Sequence, residues 1–376
     1  MGKCENVNLE NVCFILDSQR VPITASERIA GSYPYYGANG LQDYVNDYIF
    51  DDELVLLAED GGNFGSKDRP IAYRVSGKCW VNNHAHVLKA KDNVNVDYLC
   101  YSLMFYDVSN LVNGATRQKL TQADMKKMVI PLPSLEEQQK IAATLDKVTD
   151  LINLRKKELE RLDLLVKSRF VEMFGSLNDN EKGLDIVSIE DLCTLIKDGT
   201  HQTPTYTEDK QNGFKFLSSK DVMTQKICWD EIKYIPAELH EKLYATLQPM
   251  RNDILMSKNG VNYGVAAVND TDDIFDIYVS LALLRPKTDK VNPVYLRCAI
   301  NNPDTKRQFD SSIKGIGVPN LHLGEIKKTK VILPTMDKQG EFVAFVAQTD
   351  KSKYAVKKSL EKLETLKKAL MQEYFG

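Results

Sequence analysis

The chain says nearly the same thing twice. From Gly114 to Gly175 and again from Gly315 to Gly376, a gapless offset of 201 positions (315 − 114) aligns Leu120 with Leu321 and Lys126-Lys127 with Lys327-Lys328. The same offset aligns Leu132-Pro133 with Leu333-Pro334, Gln138 with Gln339, Lys156-Lys157 with Lys357-Lys358 and Phe174-Gly175 with Phe375-Gly376. A period this long exceeds the roughly 20–50 residues of solenoid repeats. It predicts two similar halves, each a globular module followed by a long helix, related by an internal pseudo-twofold.

The segments that carry the strongest repeat read as helices. Pro133-Ser134-Leu135-Glu136-Glu137 starts one: Ser134 can cap, Glu137 stands three residues on, and acidic side chains favour the first turn. Its counterpart, Pro334-Thr335-Met336-Asp337, keeps the cap and the acid but places Lys338 where a capping box takes Glu or Gln. Apolar residues then step by four and three through Ile141, Leu145, Val148, Ile152, Leu159, Leu162, Val166 and Met173, with Arg155 and Arg169 in the intervening positions. The second copy gives Phe342, Val346, Val356, Leu360, Leu363, Leu370 and Tyr374, interrupted by Thr349, Lys353 and Lys367. A heptad frame held this long predicts a coiled coil rather than two surface helices, and charges at core positions fix its register. Antiparallel pairing is the expected arrangement. Gly175 and Gly376 stop both helices in the same way.

The segments 1–133 and 184–334 lack helical periodicity. Short apolar runs such as Glu53 to Leu57, Cys79 to Val81, Asp253 to Met256, Gly264 to Val268 and Tyr278 to Leu284 predict strands broken by Gly, Asn, Asp and Pro. The fold class expected is therefore α+β, with two modules separated by a long antiparallel two-helix coiled coil.

With 376 residues and 27% charged and 43% apolar side chains, the chain reads as an ordinary globular protein with room for two or three cores. No basic-then-apolar leader and no apolar run of membrane-spanning length is present, so no membrane role and a cytoplasmic location are expected. Seven scattered cysteines without a CxxC pair argue against a disulfide framework or a cysteine zinc site. Net charge is −3, so any nucleic-acid surface must be local rather than a property of the bulk charge.

Several loops carry residue types suited to DNA. In the first module they are Tyr35 to Gly40 with Tyr35 and Asn39; Gly61 to Arg69 with Asn63, Ser66, Lys67 and Arg69; Asn82-Asn83-His84; and Arg117-Gln118-Lys119. In the second they are Asp198 to Thr203 with His201 and Thr203; Ser257-Lys258-Asn259-Gly260; and Lys314 to Asn320. Glycine lets backbone approach phosphate, Lys and Arg neutralise it, and Asn, Gln and Arg pair with base edges. The same residue types also build ordinary turns; their occurrence in both modules favours the binding reading.

Catalytic signatures are missing. Gly61 to Lys67 lacks the GK[ST] ending of a phosphate loop, no GxGxxG follows a strand, and no GxSxG elbow occurs. Asn302-Pro303-Asp304 is not the Asn-Pro-Pro-aromatic motif of amino-methyltransferases. His84 and His86 could touch a metal from one strand face, but spacing supplies no third ligand, and a polar pair is the simpler reading. No catalytic residue and no metal site is predicted.

The run Ile130-Pro131-Leu132-Pro133-Ser134-Leu135-Glu136-Glu137-Gln138-Gln139-Lys140-Ile141-Ala142, followed by Leu151-Ile152, resembles the central conserved region of type I restriction–modification specificity subunits. A weaker copy spans Val331 to Phe345, and Lys126-Lys127 and Asp253 to Ser257 fit phrases common in such chains. The resemblance implies a target-recognition domain at 1–133, a conserved helix and linker at 134–183, a second recognition domain at 184–334 and a distal helix at 335–376. It implies a non-catalytic subunit whose domains each read one half of a split site in double-stranded DNA, with the helices as spacer. Two methyltransferase subunits would dock on the helices, with Leu135, Gln138, Ile141, Met336, Gln339 and Phe342 as candidate contacts, and restriction subunits would join that core. The chain itself would hold no cofactor; S-adenosylmethionine, ATP and magnesium would belong to the partners. The alternative is a coiled-coil scaffold without DNA readout; an enzyme in its own right would need a catalytic cluster that the sequence does not display.

Overall fold

A computed structural model of the chain describes residues 5–114, 117–313 and 319–376. It divides into two compact units, one of residues 1–156 with 357–376 and the other of residues 157–356. Each of the two 40-residue helices, Leu135–Phe174 and Met336–Phe375, is shared between the units. No helix among the described residues is long and apolar enough to cross a membrane.

In the first unit a six-stranded sheet runs in the order Cys13–Ile15, Ala85–Ala90, Phe50–Ala58, Ala72–Val81, Ala30–Gly37, Gly40–Val45. All neighbours are antiparallel except Ala30–Gly37 against Ala72–Val81. Its central strand is apolar on both faces because both are covered. Val55 and Leu57 pack with Leu99, Cys100 and Leu103 of the helix Val96–Met104, while Leu54 and Leu56 pack with Phe50, Val75, Val81 and Val87.

The second unit repeats the heart of this plan. Its four-stranded sheet runs Cys193–Asp198, Leu281–Pro286, Ile254–Ser257, Ala266–Val268, antiparallel throughout, and a three-stranded sheet of Lys233–Ile235, Phe214–Leu217 and Phe275–Ile277 is added. The central strand is again covered on both sides, Ile254 and Met256 on one face and Leu255 on the other.

Both modules are closed by a two-stranded ribbon that leads into a long helix. Glu5–Asn8 pairs with Val129–Leu132 in one, and Asp185–Ser188 with Lys330–Leu333 in the other. The helix-forming periodicity holds: Ile141, Leu145, Val148, Ile152, Phe342, Val346, Thr349 and Val356 are all buried. Pairing is antiparallel in each unit. The start of the first helix (Ile141, Ala142, Leu145) packs against the end of the second (Leu370, Met371, Tyr374, Phe375), and Lys156 pairs with Glu364 at 3.6 Å. In the other unit Phe170 and Phe174 meet Phe342, each at a ring-centroid distance of 5.5 Å, and Lys353 pairs with Asp163.

The helix ends complete the modules. Phe375 packs on Tyr98 of the first module (5.3 Å between centroids) and Phe174 on Tyr295 of the second (5.2 Å). Each module is thus held by the beginning of one long helix and the end of the other. The heptad frame accounts for the helix pairing, but not for this exchange.

Candidate nucleic-acid interface

The first module brings four separate loops together at the end of its sheet. The backbone connects them in sequence: Asn82 N donates to Tyr36 O (3.0 Å), Glu59 N to His84 O (2.9 Å), Leu120 N to Glu59 O (2.7 Å) and Gly61 N to Gln118 O (3.3 Å). Asp60 and Lys119 form an isolated antiparallel bridge. On this frame Asn39 Nδ2 donates to Gly61 O (3.0 Å), His84 Nδ1 lies 2.6 Å from Asp60 Oδ1, and Arg117 Nη2 lies 2.8 Å from the same carboxylate. Lys119 Nζ is 3.0 Å from Glu59. Asn39, His84, Arg117 and Lys119, distant in sequence, therefore share one surface. Asn83 is exposed at its turn. Asn63, Ser66, Lys67 and Arg69 follow Gly61 on one loop, which Ser66 turns by accepting from Arg69 N at 3.0 Å, leaving Lys67 and Arg69 exposed.

Beneath this surface lies a charged network that spacing did not reveal. His86 is buried; its Nδ1 stands 2.6 Å from Asp17 Oδ2 and 3.7 Å from Glu59, while Nε2 faces Leu120 O at 2.9 Å. Arg20 bonds both Glu59 and Ala85 O at 2.7 Å. Burial alone would raise the Asp17 and Glu59 carboxyls. Hydrogen bonds from His86 and Val87 N to Asp17, and from Arg20 and Lys119 to Glu59, outweigh it and hold both below their ordinary values. Asp17, Glu59 and His86 are grouped closely enough to hold a metal ion. The Arg20 guanidinium already occupies the Glu59 oxygen, however, and a cation there disfavours a second one. The network reads as an ionic base for the Glu59–Asp60 loop.

The second module repeats the frame. Leu321 N donates to Lys258 O (2.8 Å), as Leu120 does to Glu59, and Asn259 and Asn320 form the bridge that Asp60 and Lys119 form in the first. Lys258 is buried against Asp198, and His201 Nε2 lies 3.6 Å from Asp198 Oδ2. His201, Asn259 and Asn320 therefore gather at the corresponding place; Thr203 is exposed two residues beyond His201, and Lys314 lies outside the described residues.

Some sequence candidates must be corrected. Tyr35 is buried beneath the Arg28 guanidinium, 4.2 Å from its ring, with its hydroxyl donating to Ile23 O at 3.3 Å. Ser257 is buried, its hydroxyl donating to Asn262 O and accepting from Val265 N to shape the following turn. Lys258 is an internal ion pair rather than a free cation. Of the candidate docking residues, Gln138, Ile141, Gln339 and Phe342 are buried within their own units, and only Leu135 and Met336 are exposed. Elsewhere the helices expose Leu151 and Leu154 with Leu366 in one unit, and Leu164, Leu165 and Val171 with Tyr354 in the other.

The family model for the type I restriction modification DNA specificity domain matches this sequence twice, over residues 1–164 and 181–367. The chain belongs to this family. Each match takes in one module together with most of the long helix that follows it. A Haemophilus influenzae protein named as a type I restriction enzyme specificity subunit is 39% identical over 143 residues, 38% of this chain and 37% of that relative. The MjaVIII specificity subunit of Methanocaldococcus jannaschii is 22% identical over 396 aligned positions, covering 98% of this chain and 91% of the relative. Among solved structures, the type I S subunit from M. genitalium superposes with a TM-score of 0.56 at 15% identity, covering 100% of this chain and 96% of that one. This specificity chain therefore shares the family's α+β architecture of paired recognition domains and long helices, and the scaffold alternative is not favoured.

Proposed function

We propose that the two modules, 1–133 and 184–334, each read one half of a bipartite site in double-stranded DNA, with the long helices as spacer. The observation that carries the reading is the recurrence of one loop frame in both modules. In each, an ionic pair inside the module fixes the loop after the central strand. That loop bridges to the segment before the ribbon, placing Asn39, His84, Arg117 and Lys119 on one module and His201, Asn259 and Asn320 on the other. Amide, imidazole and guanidinium groups on a fixed backbone are the equipment of direct base readout.

Two of the exposed cations of the first surface, Arg117 and Lys119, are balanced by Asp60 and Glu59, which reduces the charge left for phosphate. Partner methyltransferases, docked on the exposed leucines of each unit, would supply that field together with S-adenosylmethionine; ATP and magnesium belong to restriction subunits. DNA-binding titrations test this. The chain with its methyltransferase should bind one split sequence tightly, and the chain alone only weakly. Nanomolar sequence-specific binding by the chain alone at physiological salt would overturn the division of labour.

A further inference from the structure

Arg117 and Lys119 are both cationic, both exposed and two residues apart, yet the structure holds them differently. Lys119 reaches Glu59 at 3.0 Å through a flexible stem with half of its side chain exposed. The Arg117 guanidinium is fixed on two sides. Its Nη2 lies 2.8 Å from Asp60 Oδ1, a carboxylate largely withdrawn from solvent and itself 2.6 Å from His84 Nδ1. Its Nε–Nη2 edge rests over Gly61, which adopts φ +61° and where an added Cβ would lie 3.3 Å from both nitrogens. Any other residue there would crowd the guanidinium and strain the backbone. Even so, 60% of the Arg117 side chain is open to solvent.

An Arg used only to neutralise phosphate gains nothing from a carboxylate partner, which cancels its charge. A planar fork that must meet a base edge gains orientation, because less side-chain freedom is lost on contact. Of the base edges in the major groove, guanine alone offers two acceptors, O6 and N7, spaced for the fork. We propose that Arg117, oriented by Asp60 over Gly61, is a specificity-determining residue that reads one guanine in the half-site of the first domain. Asp60 is its positioning residue. Lys119 has no fork to orient; released from Glu59, which keeps Arg20 as its partner, its flexible stem makes a sequence-independent phosphate contact. Val318 is the counterpart of Arg117 in the repeat, so the inference concerns the first half-site alone. It rests on the DNA-reading function proposed above.

The test is selection from a randomised duplex DNA library by the full chain assembled with its methyltransferase, comparing wild type with Arg117→Ala, Arg117→Lys, Asp60→Asn and Lys119→Ala. Wild type should select a split motif. Both Arg117 variants should lose the preference for guanine at one position of one half by roughly tenfold or more, leaving the other positions and the second half intact. Asp60→Asn should weaken the same position by less, and Lys119→Ala should lower affinity across all sequences and reduce the salt dependence. Arg117 variants that keep the full motif and bind uniformly more weakly, or a change at a position that is not guanine, would overturn the inference while the reading of DNA stands. A wild-type complex that selects no motif would instead overturn the proposed function itself.

Discussion

Gln339 repeats, bond for bond, the contacts of Gln138. Gln138 Oε1 accepts from Asn95 N (2.9 Å), and its Nε2 donates to Asn93 O (3.2 Å) and Pro133 O (2.9 Å). Gln339 Oε1 accepts from Asn292 N (2.7 Å), and its Nε2 donates to Lys290 O (3.2 Å) and Pro334 O (2.8 Å). Both amides are buried, and each ties the first turn of a long helix to the start of a module helix, Val96–Met104 in one case and Pro293–Ile300 in the other. The match continues outward: Tyr98 donates to Pro131 O at 2.8 Å and Tyr295 to Ile332 O at 2.7 Å.

Truncating either glutamine leaves buried backbone groups without partners. Gln138→Ala should destabilise the first unit, and Gln339→Ala the second, by about 2–3 kcal/mol each. Chemical denaturation gives the magnitude, and hydrogen exchange at Asn95 N or Asn292 N reports which unit is affected. Equal loss of protection in both units from one substitution would contradict the account.

The exchange of helix ends makes the last residues part of the first module. Phe174 is fully buried among Phe170, Tyr295 and Phe342, so Phe174→Ala should cost the second unit about 3–5 kcal/mol. Phe375→Ala, at a half-exposed position, should cost the first unit less, although it lies at the far end of the sequence. Limited proteolysis of each variant, with the cleaved segments mapped, checks which module loosens.

The ionic base under the first loop surface predicts acid sensitivity. Asp17 and Glu59 have folded pKa values below their ordinary values of 3.8 and 4.5, so their contribution is complete above those values and is lost as pH falls through the lower, folded ones. Asp17→Asn leaves the buried His86 and Arg20 without this partner and should destabilise the first unit by about 3 kcal/mol at neutral pH. The difference from wild type should shrink as pH falls below about 4, following the linkage relation. Unfolding curves across that range would show it.

Docking of a methyltransferase on the exposed helix leucines predicts a separation of assembly from folding. Leu154→Lys, in a side chain 60% exposed, and Leu164→Lys, 61% exposed, should leave the melting temperature within a degree or two. Each should weaken association with the methyltransferase about tenfold or more. Analytical ultracentrifugation of the mixed components distinguishes loss of one partner from loss of both.

The sequence made the architecture legible because its strongest signals are periodic. The heptad frame and the glycine stops predicted the helices, the order of module and helix repeated twice led to the expectation of antiparallel pairing, and the offset of Gln138 to Gln339 marked the repeat. The loops with Asn39, His84, Arg117 and Lys119 were found by residue type, and the fold brings them together. Residue type could not separate Lys119, half-exposed, from Lys258, buried against Asp198, because burial of a cation depends on a carboxylate 60 positions away in sequence. Nor could it show that Gln138 and Gln339 face inward: a polar residue in the first turn of a helix reads as surface until the carbonyls it satisfies are in place. The network of Asp17, Arg20, Glu59 and His86 draws on three strand ends and was invisible for the same reason.

The most direct measurement of the central claim is methylome sequencing of cells that express this chain with its methyltransferase, against cells that express the methyltransferase alone. The account predicts a split motif, methylated in both halves, that appears only when the chain is present. A stable complex with an active methyltransferase and no new motif would contradict it.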